Sequence, residues 1–171
     1  MAAYLRGRRI DLRAIAAELG LARATIYRWF GSREGLIAQV LNRAADAILD
    51  RAAAGNEGRG AAGLLDTFDA FNRSLSTAPA LRAFVAAEGA AAVRVITSST
   101  GAAHAHNVGR IAELIQAEAD AGTYAPAVEP ATLAYAIVRL AEAFLLNDAG
   151  DMPGDVGRLR TLEAALLGVD P

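Results

Sequence analysis

The sequence predicts an all-α protein, on three observations. Of 171 residues, 42 are Ala and 20 are Leu, both strong helix formers, against few Val, Ile and Thr. Hydrophobic residues make up 54% of the chain and charged residues 21%, which is ample apolar surface for a packed core. Gly and Pro recur where apolar-periodic stretches of helical length stop.

The elements follow in order. Asp11 is placed to cap a helix over 11–19, with Gly20 as its left-handed C-terminal residue. Within it Leu12, Ile15, Ala16 and Leu19 make one apolar stripe, and Arg13, Ala17 and Glu18 occupy the other face. A second short helix covers 23–30 and stops at Gly31; Ile26 and Phe30 share a face, while Arg23, Thr25, Tyr27 and Arg28 point largely outward. Ser32 then caps a long helix to about Ala54, with Glu34 in the first turn, where the helix dipole favours a carboxylate. The glycine-rich stretch 55–60 breaks the chain; it follows no strand, so it does not read as a phosphate cradle. Beyond it helices are expected at about 61–77, 80–98 with a kink at Gly89, 102–121, 130–148 and 154–168, each set off by Gly or Pro.

Composition excludes several classes. There is no Cys and no Lys, all 17 basic residues being Arg, which removes disulfide scaffolds, thiolate zinc sites, cysteine nucleophiles, the P-loop lysine and Schiff-base chemistry. Neither Gly-x-Ser-x-Gly nor His-Glu-x-x-His occurs, and Glu113 and Glu118 read as the solvated face of an amphipathic helix. No enzyme, cofactor or metal site is therefore expected. No stretch approaches the ~18 uncharged apolar residues of a membrane span, and the reducing cytoplasm is the expected compartment. The net charge of −2 is uneven: residues 1–43 hold eight Arg against three acids, +5, and residues 44–171 hold nine against sixteen, −7. Either a basic, polyanion-binding head sits on an acidic body, or the charges cluster by chance.

The segment 11–30 is the most informative. Two short helices joined by a tight turn at Gly20 and Leu21, the second with outward Arg, Thr and Tyr, form the helix-turn-helix pattern. Arg can read guanine edges bidentately, while hydroxyls and further Arg grip phosphates and fix register. A helical hairpin that never meets nucleic acid has the same spacing, so both readings stand on the residues alone.

The run from Ile15 to Leu36, with Thr25-Ile26-Tyr27-Arg28-Trp29-Phe30 and then Ser32-Arg33-Glu34-Gly35-Leu36, resembles the DNA-binding head of TetR-family transcriptional regulators. The resemblance implies that Thr25, Tyr27 and Arg33 contact phosphates, that Arg13 and Arg23 reach base edges, and that Arg28 and Trp29 belong to the same face. Trp29 takes a place often held by His, and packing of its ring beneath the head is the alternative. It further implies a head over 1–45 on a ligand-binding and dimerisation body over 46–171. Two heads of a homodimer would then meet successive major grooves of a double-stranded operator, roughly 34–36 Å apart. Two departures stand out. Ala22 replaces the usual Ser or Thr cap, a loss of about 1 kcal/mol. The family also places a full helix before the pair, whereas residues 3–7 supply only its last turn, so the first helix reads as truncated. Either the natural chain starts upstream of Met1, or the same apolar face is covered differently; Tyr4, Leu5 and Ile10 would survive from that wall.

In the body, residues 79–84 and 132–139 more weakly resemble the QsdR-type branch, associated with control of quorum-sensing lactone degradation. That implies a repressor with a small, largely apolar effector, a lactone among the candidates, and a dimeric four-helix bundle from the last two helices, here 130–168. Phe68, Phe71 and Leu75 lie at i, i+3 and i+7, and Phe84, Val85, Val93 and Ile96 give a second apolar surface; both suit a pocket wall or an ordinary core. His104 shares a stripe with Val108, Ile111 and Ile115, whereas His106 falls with Arg110 and Glu113 on the polar side, so the two cannot chelate one metal. Arg139 and Glu142 interrupt an otherwise apolar helix, either as a structural ion pair or, with His104, as polar anchors in a ligand pocket. A helical small-molecule-binding or scaffold protein that never touches DNA remains the alternative.

Overall fold

A computed structural model describes residues 11–146 and 155–171. Those residues are helical or irregular, with no strand among them: α1 (Leu12–Glu18), α2 (Arg23–Phe30), α3 (Arg33–Ala53), α4 (Gly60–Thr77), α5 (Pro79–Glu88), α6 (Ala90–Thr97), α7 (Ala102–Asp120), α8 (Pro130–Leu145) and α9 (Val156–Leu167). The expected wall of Tyr4, Leu5 and Ile10 lies outside the described residues.

The head forms by local rules. Asp11 caps α1 by accepting from the Arg13 N–H at 2.8 Å. Gly20, at φ 64°, closes the helix, and Leu21 N–H bonds back to the Ala16 carbonyl. Ala22 indeed gives α2 no side-chain cap, whereas Ser32 caps α3 through the Gly35 N–H at 3.0 Å. Leu19 departs from the expected stripe: it is the C-terminal cap of α1 and 60% exposed, because the stripe's period no longer applies once the backbone leaves the helix.

Among the described residues, two apolar clusters form the interior. One joins Leu12, Ala16, Ile26 and Ile37 of the head to Phe84 of α5 and Ala92 of α6. The other is the body core, where α4, α7, α8 and α9 pack around Leu65, Phe68, Ile115, Ile137 and Leu167, with Leu49 of α3. Helix α3 runs through both, so position 45 lies within a helix rather than at a break. The stretch over 80–98 is likewise two helices and not one kinked helix. Gly89 stands between them at φ 53°, ψ −128°, a backbone open essentially to glycine alone. Helix α8 stops at Leu145, short of the expected 148, because Leu146 leaves helical geometry.

Candidate functional site

The head presents α2 outward. Ile26 is buried at 1% exposure and anchors the helix, leaving Arg23, Tyr27, Arg28 and Trp29 on the surface, with Thr25 half-buried beside them. The Arg23 guanidinium lies 5.1 Å from the Tyr27 ring centre and donates to its hydroxyl at 3.2 Å, so the two side chains lie against each other on the exposed face. Trp29 is 54% exposed, edge-on to Phe30 at 6.3 Å, and so faces solvent rather than packing beneath the head. Arg13 is exposed on α1. Arg33 is turned another way: its Nη2 meets the buried Glu88 Oε1 of α5 at 2.5 Å, which ties the start of α3 to the body. An exposed set of guanidinium, hydroxyl and aromatic groups on one short helix matches the chemistry of a duplex groove.

The body holds a cavity of about 100 Å³ with almost entirely apolar walls. Of the six residues expected at a ligand site, Phe68, Phe71 and Glu142 line it. Phe84 does not: its ring is fully buried in the cluster under the head, because the inward face of α5 turns toward Ile26 and Ile37. His104 and Arg139 stand behind Glu142 instead of on the wall. His104 Nδ1 lies 2.8 Å from Glu142 Oε1, Arg139 donates to Glu142 Oε2 at 3.0 Å, and Arg139 also donates to the Thr97 carbonyl at 2.6 Å. The Tyr135 hydroxyl bonds the same guanidinium and raises its already high pKa. Both Glu142 oxygens are thus engaged by protein. Glu142→Gln is expected to lower stability by about 1–3 kcal/mol, several degrees in Tm, whether or not an effector is present. Thermal unfolding that leaves the variant level with wild type would contradict the ion-pair role.

Two buried carboxylates escaped the sequence reading. Glu118, expected on a solvated face, is 7% exposed; it accepts from the Gly58 and Gly60 N–H groups at 2.7 Å each and from the Thr123 hydroxyl at 2.5 Å. Glu163 is fully buried at the cavity, with Asn72 donating to its Oε1 at 3.0 Å. Burial pushes the Glu163 carboxyl up to about 7 against the pull of Asn72. A signal was present for each: Glu118 follows Ile111 and Ile115 at helical spacing, and Glu163 lies four residues from both Leu159 and Leu167.

Comparison with known proteins agrees with this geometry. Residues 59–168 match the family described as "Tetracyclin repressor-like, C-terminal domain", and residues 8–40 match "Bacterial regulatory proteins, tetR family". No curated protein matches the sequence. The structure is similar to that of the R. erythropolis transcriptional repressor QsdR from the TetR family, with a TM-score of 0.87 at 29% identity, covering 99% of this chain and 90% of that one. No helix among the described residues is long and apolar enough to cross a membrane. The motif, the helical architecture and the two family matches converge: this chain belongs to the TetR family and is a DNA-binding transcriptional regulator.

Proposed function

We propose that the chain is a homodimeric cytoplasmic repressor whose body, over 46–171, binds a small, largely apolar effector in the cavity bordered by Phe68 and Phe71, and whose head, over 1–45, then leaves its operator. One observation carries the reading. The α5–α6 pair faces both ways: Leu81 and Ile96 border the cavity, while Phe84 and Ala92 join the apolar cluster that also holds Ile26 of the recognition helix and Ile37 of α3. Anything that moves the first pair disturbs the second, because packed interiors transmit small shifts. A ligand that prefers one arrangement lowers DNA affinity by its differential binding, typically about 1–3 kcal/mol of coupling. The likeness to QsdR makes lactones the first effectors to try. Dimerisation is assigned to 130–168.

In the head, Arg23 and Arg13 read base edges, Thr25, Tyr27 and Arg28 hold the backbone, and Trp29 lies along the same face. Arg33 reaches phosphate only by giving up Glu88, which makes that ion pair part of the coupling. The test is a mobility shift on the DNA upstream of the chain's own coding frame, with and without lactones. Arg23→Ala is expected to relax base preference at one operator position, costing about 1–3 kcal/mol there. Arg33→Ala is expected to weaken all sequences about equally and to flatten the salt dependence by about one phosphate contact. Wild-type affinity in both variants would refute the assigned reading face.

A further inference from the structure

The cavity carries a chemical demand that its apolar walls obscure. Its two carboxylates are in opposite situations. Glu142 is matched by Arg139 and His104. Glu163 is fully buried, its Oε1 takes a hydrogen bond from Asn72, and its Oε2 accepts none among the described residues. The nearest cation on its own helix, Arg160, is turned to α4, with Asp66 at 3.0 Å and Asp69 at 3.8 Å. A second acceptor bordering the cavity is also unmatched: Asn42 Oδ1 is buried without a partner, while its Nδ2 donates to the Ala102 carbonyl at 3.3 Å. The unmet groups are thus both hydrogen-bond acceptors, and one is a carboxyl without a cation. A ligand offering only acceptors leaves Asn42 Oδ1 unmet and meets Glu163 only in its protonated form.

We propose that the cavity binds a small alkyl amine, its ammonium group donating to Glu163 Oε2, which a turn of that side chain must first open to the cavity, and its chain lying against Phe68, Phe71, Leu75 and Ile137. An ammonium supplies both the donor and the charge that a buried carboxylate lacks. The charged groups around Glu163 leave this role open: Asp69 on α4 opposes its ionisation, Arg160 on α9 favours it weakly, and Glu142 on α8 is already neutralised. With a carboxyl poised near 7, a bound ammonium draws out the ionised form. The proposal rests on the reading that this cavity is the effector site, and it narrows the effector from apolar molecules at large to amines.

The test uses three probes of one chain length, hexylamine, 1-hexanol and hexanoate, titrated calorimetrically into the full chain. Hexylamine is expected to bind at least about tenfold tighter than 1-hexanol. Glu163→Gln is expected to abolish that preference while leaving 1-hexanol binding unchanged. A wild-type measurement guards against a variant that fails to fold: in two buffers of different ionisation enthalpy at pH 6, hexylamine binding should release roughly one proton from Glu163, and 1-hexanol binding none. Equal affinity for the amine and the alcohol, a preference that survives Glu163→Gln, or amine binding without proton release each overturns the proposal. Mobility shifts separate its fate from that of the effector reading. Operator release by hexanoate, the alcohol or a lactone but not by hexylamine upholds an effector cavity and overturns the amine assignment. Glu163-dependent amine binding that never alters the operator complex upholds the amine site and overturns the effector reading.

Discussion

Glu118→Ala is expected to lower the unfolding free energy by about 1–3 kcal/mol, a sizeable part of a typical domain's total. The carboxylate ends α7 and fastens the α3–α4 loop onto it through the Gly58 and Gly60 N–H groups and the Thr123 hydroxyl. Gly60 itself sits at φ 64° so close to Thr123 that a Cβ would collide with the Thr123 carbonyl oxygen, so the loop is held tightly against the end of α7. Removing the carboxylate leaves the buried Gly60 N–H without a partner, which is the expensive direction of the hydrogen-bond balance, and turns the exposed Gly58 N–H and Thr123 hydroxyl over to water. The pH dependence has a definite sign. Burial raises the Glu118 pKa, but the Thr123 hydroxyl and the two backbone donors outweigh it and hold the carboxyl below its ordinary value of 4.5. Its contribution is therefore fully present above pH 4.5 and is lost as pH falls through the lower folded value. Urea unfolding of wild type and Glu118→Gln should differ most near neutrality and converge in stronger acid. A difference under about 1 kcal/mol for Glu118→Ala at pH 7 would show that the loop is held by something else.

Glu118 also marks the limit of what the sequence discloses. Helix ends were legible wherever chemistry is local: Asp11 and Ser32 cap their own helices, and Gly20, Gly31 and Gly168 end them at positive φ. The outward face of α2 was legible too, because one buried Ile26 at helical spacing settles which side groups point to solvent. What stayed hidden depends on distant segments. A carboxylate on a helix is ordinarily a solvated group, and nothing near Glu118 in sequence tells of Gly58 and Gly60. Asn72 is equally remote from Glu163. Periodicity says that Phe84 is buried but not against what, so it read as a pocket residue when its neighbours are Ile26 and Ile37 of the head. The Arg33–Glu88 pair, spanning 55 positions, gave no signal either. The Phe84 and Arg33–Glu88 contacts are the ones on which the proposed communication between cavity and head rests.

The functional consequence of assembly gives the other large effect: Leu166→Glu is expected to yield a monomer that binds the operator at least about a hundredfold more weakly. Leu159, Glu163 and Leu167 of α9 turn inward, while Leu162 and Leu166, four residues apart, remain 43% and 39% exposed on another face. Tyr135 of α8 is 49% exposed as well. Large apolar groups left together on the final helices suit a self-complementary contact, in which a single substitution acts twice across the two-fold axis. A charge there must be desolvated in both copies at once, whereas in the monomer the same Glu stays in water and leaves the fold intact. Operator binding falls because each head then engages its half-site alone, without the effective concentration that tethering two heads supplies. Leu140→Glu, on half-buried Leu140 of α8, extends the test to the neighbouring helix. Sedimentation should give monomers with native helical content for Leu166→Glu, and mobility shifts should lose the specific complex over the same concentration range. Unchanged dimers in both variants would move the interface off 130–168, and a monomer that retained full operator affinity would sever assembly from DNA binding.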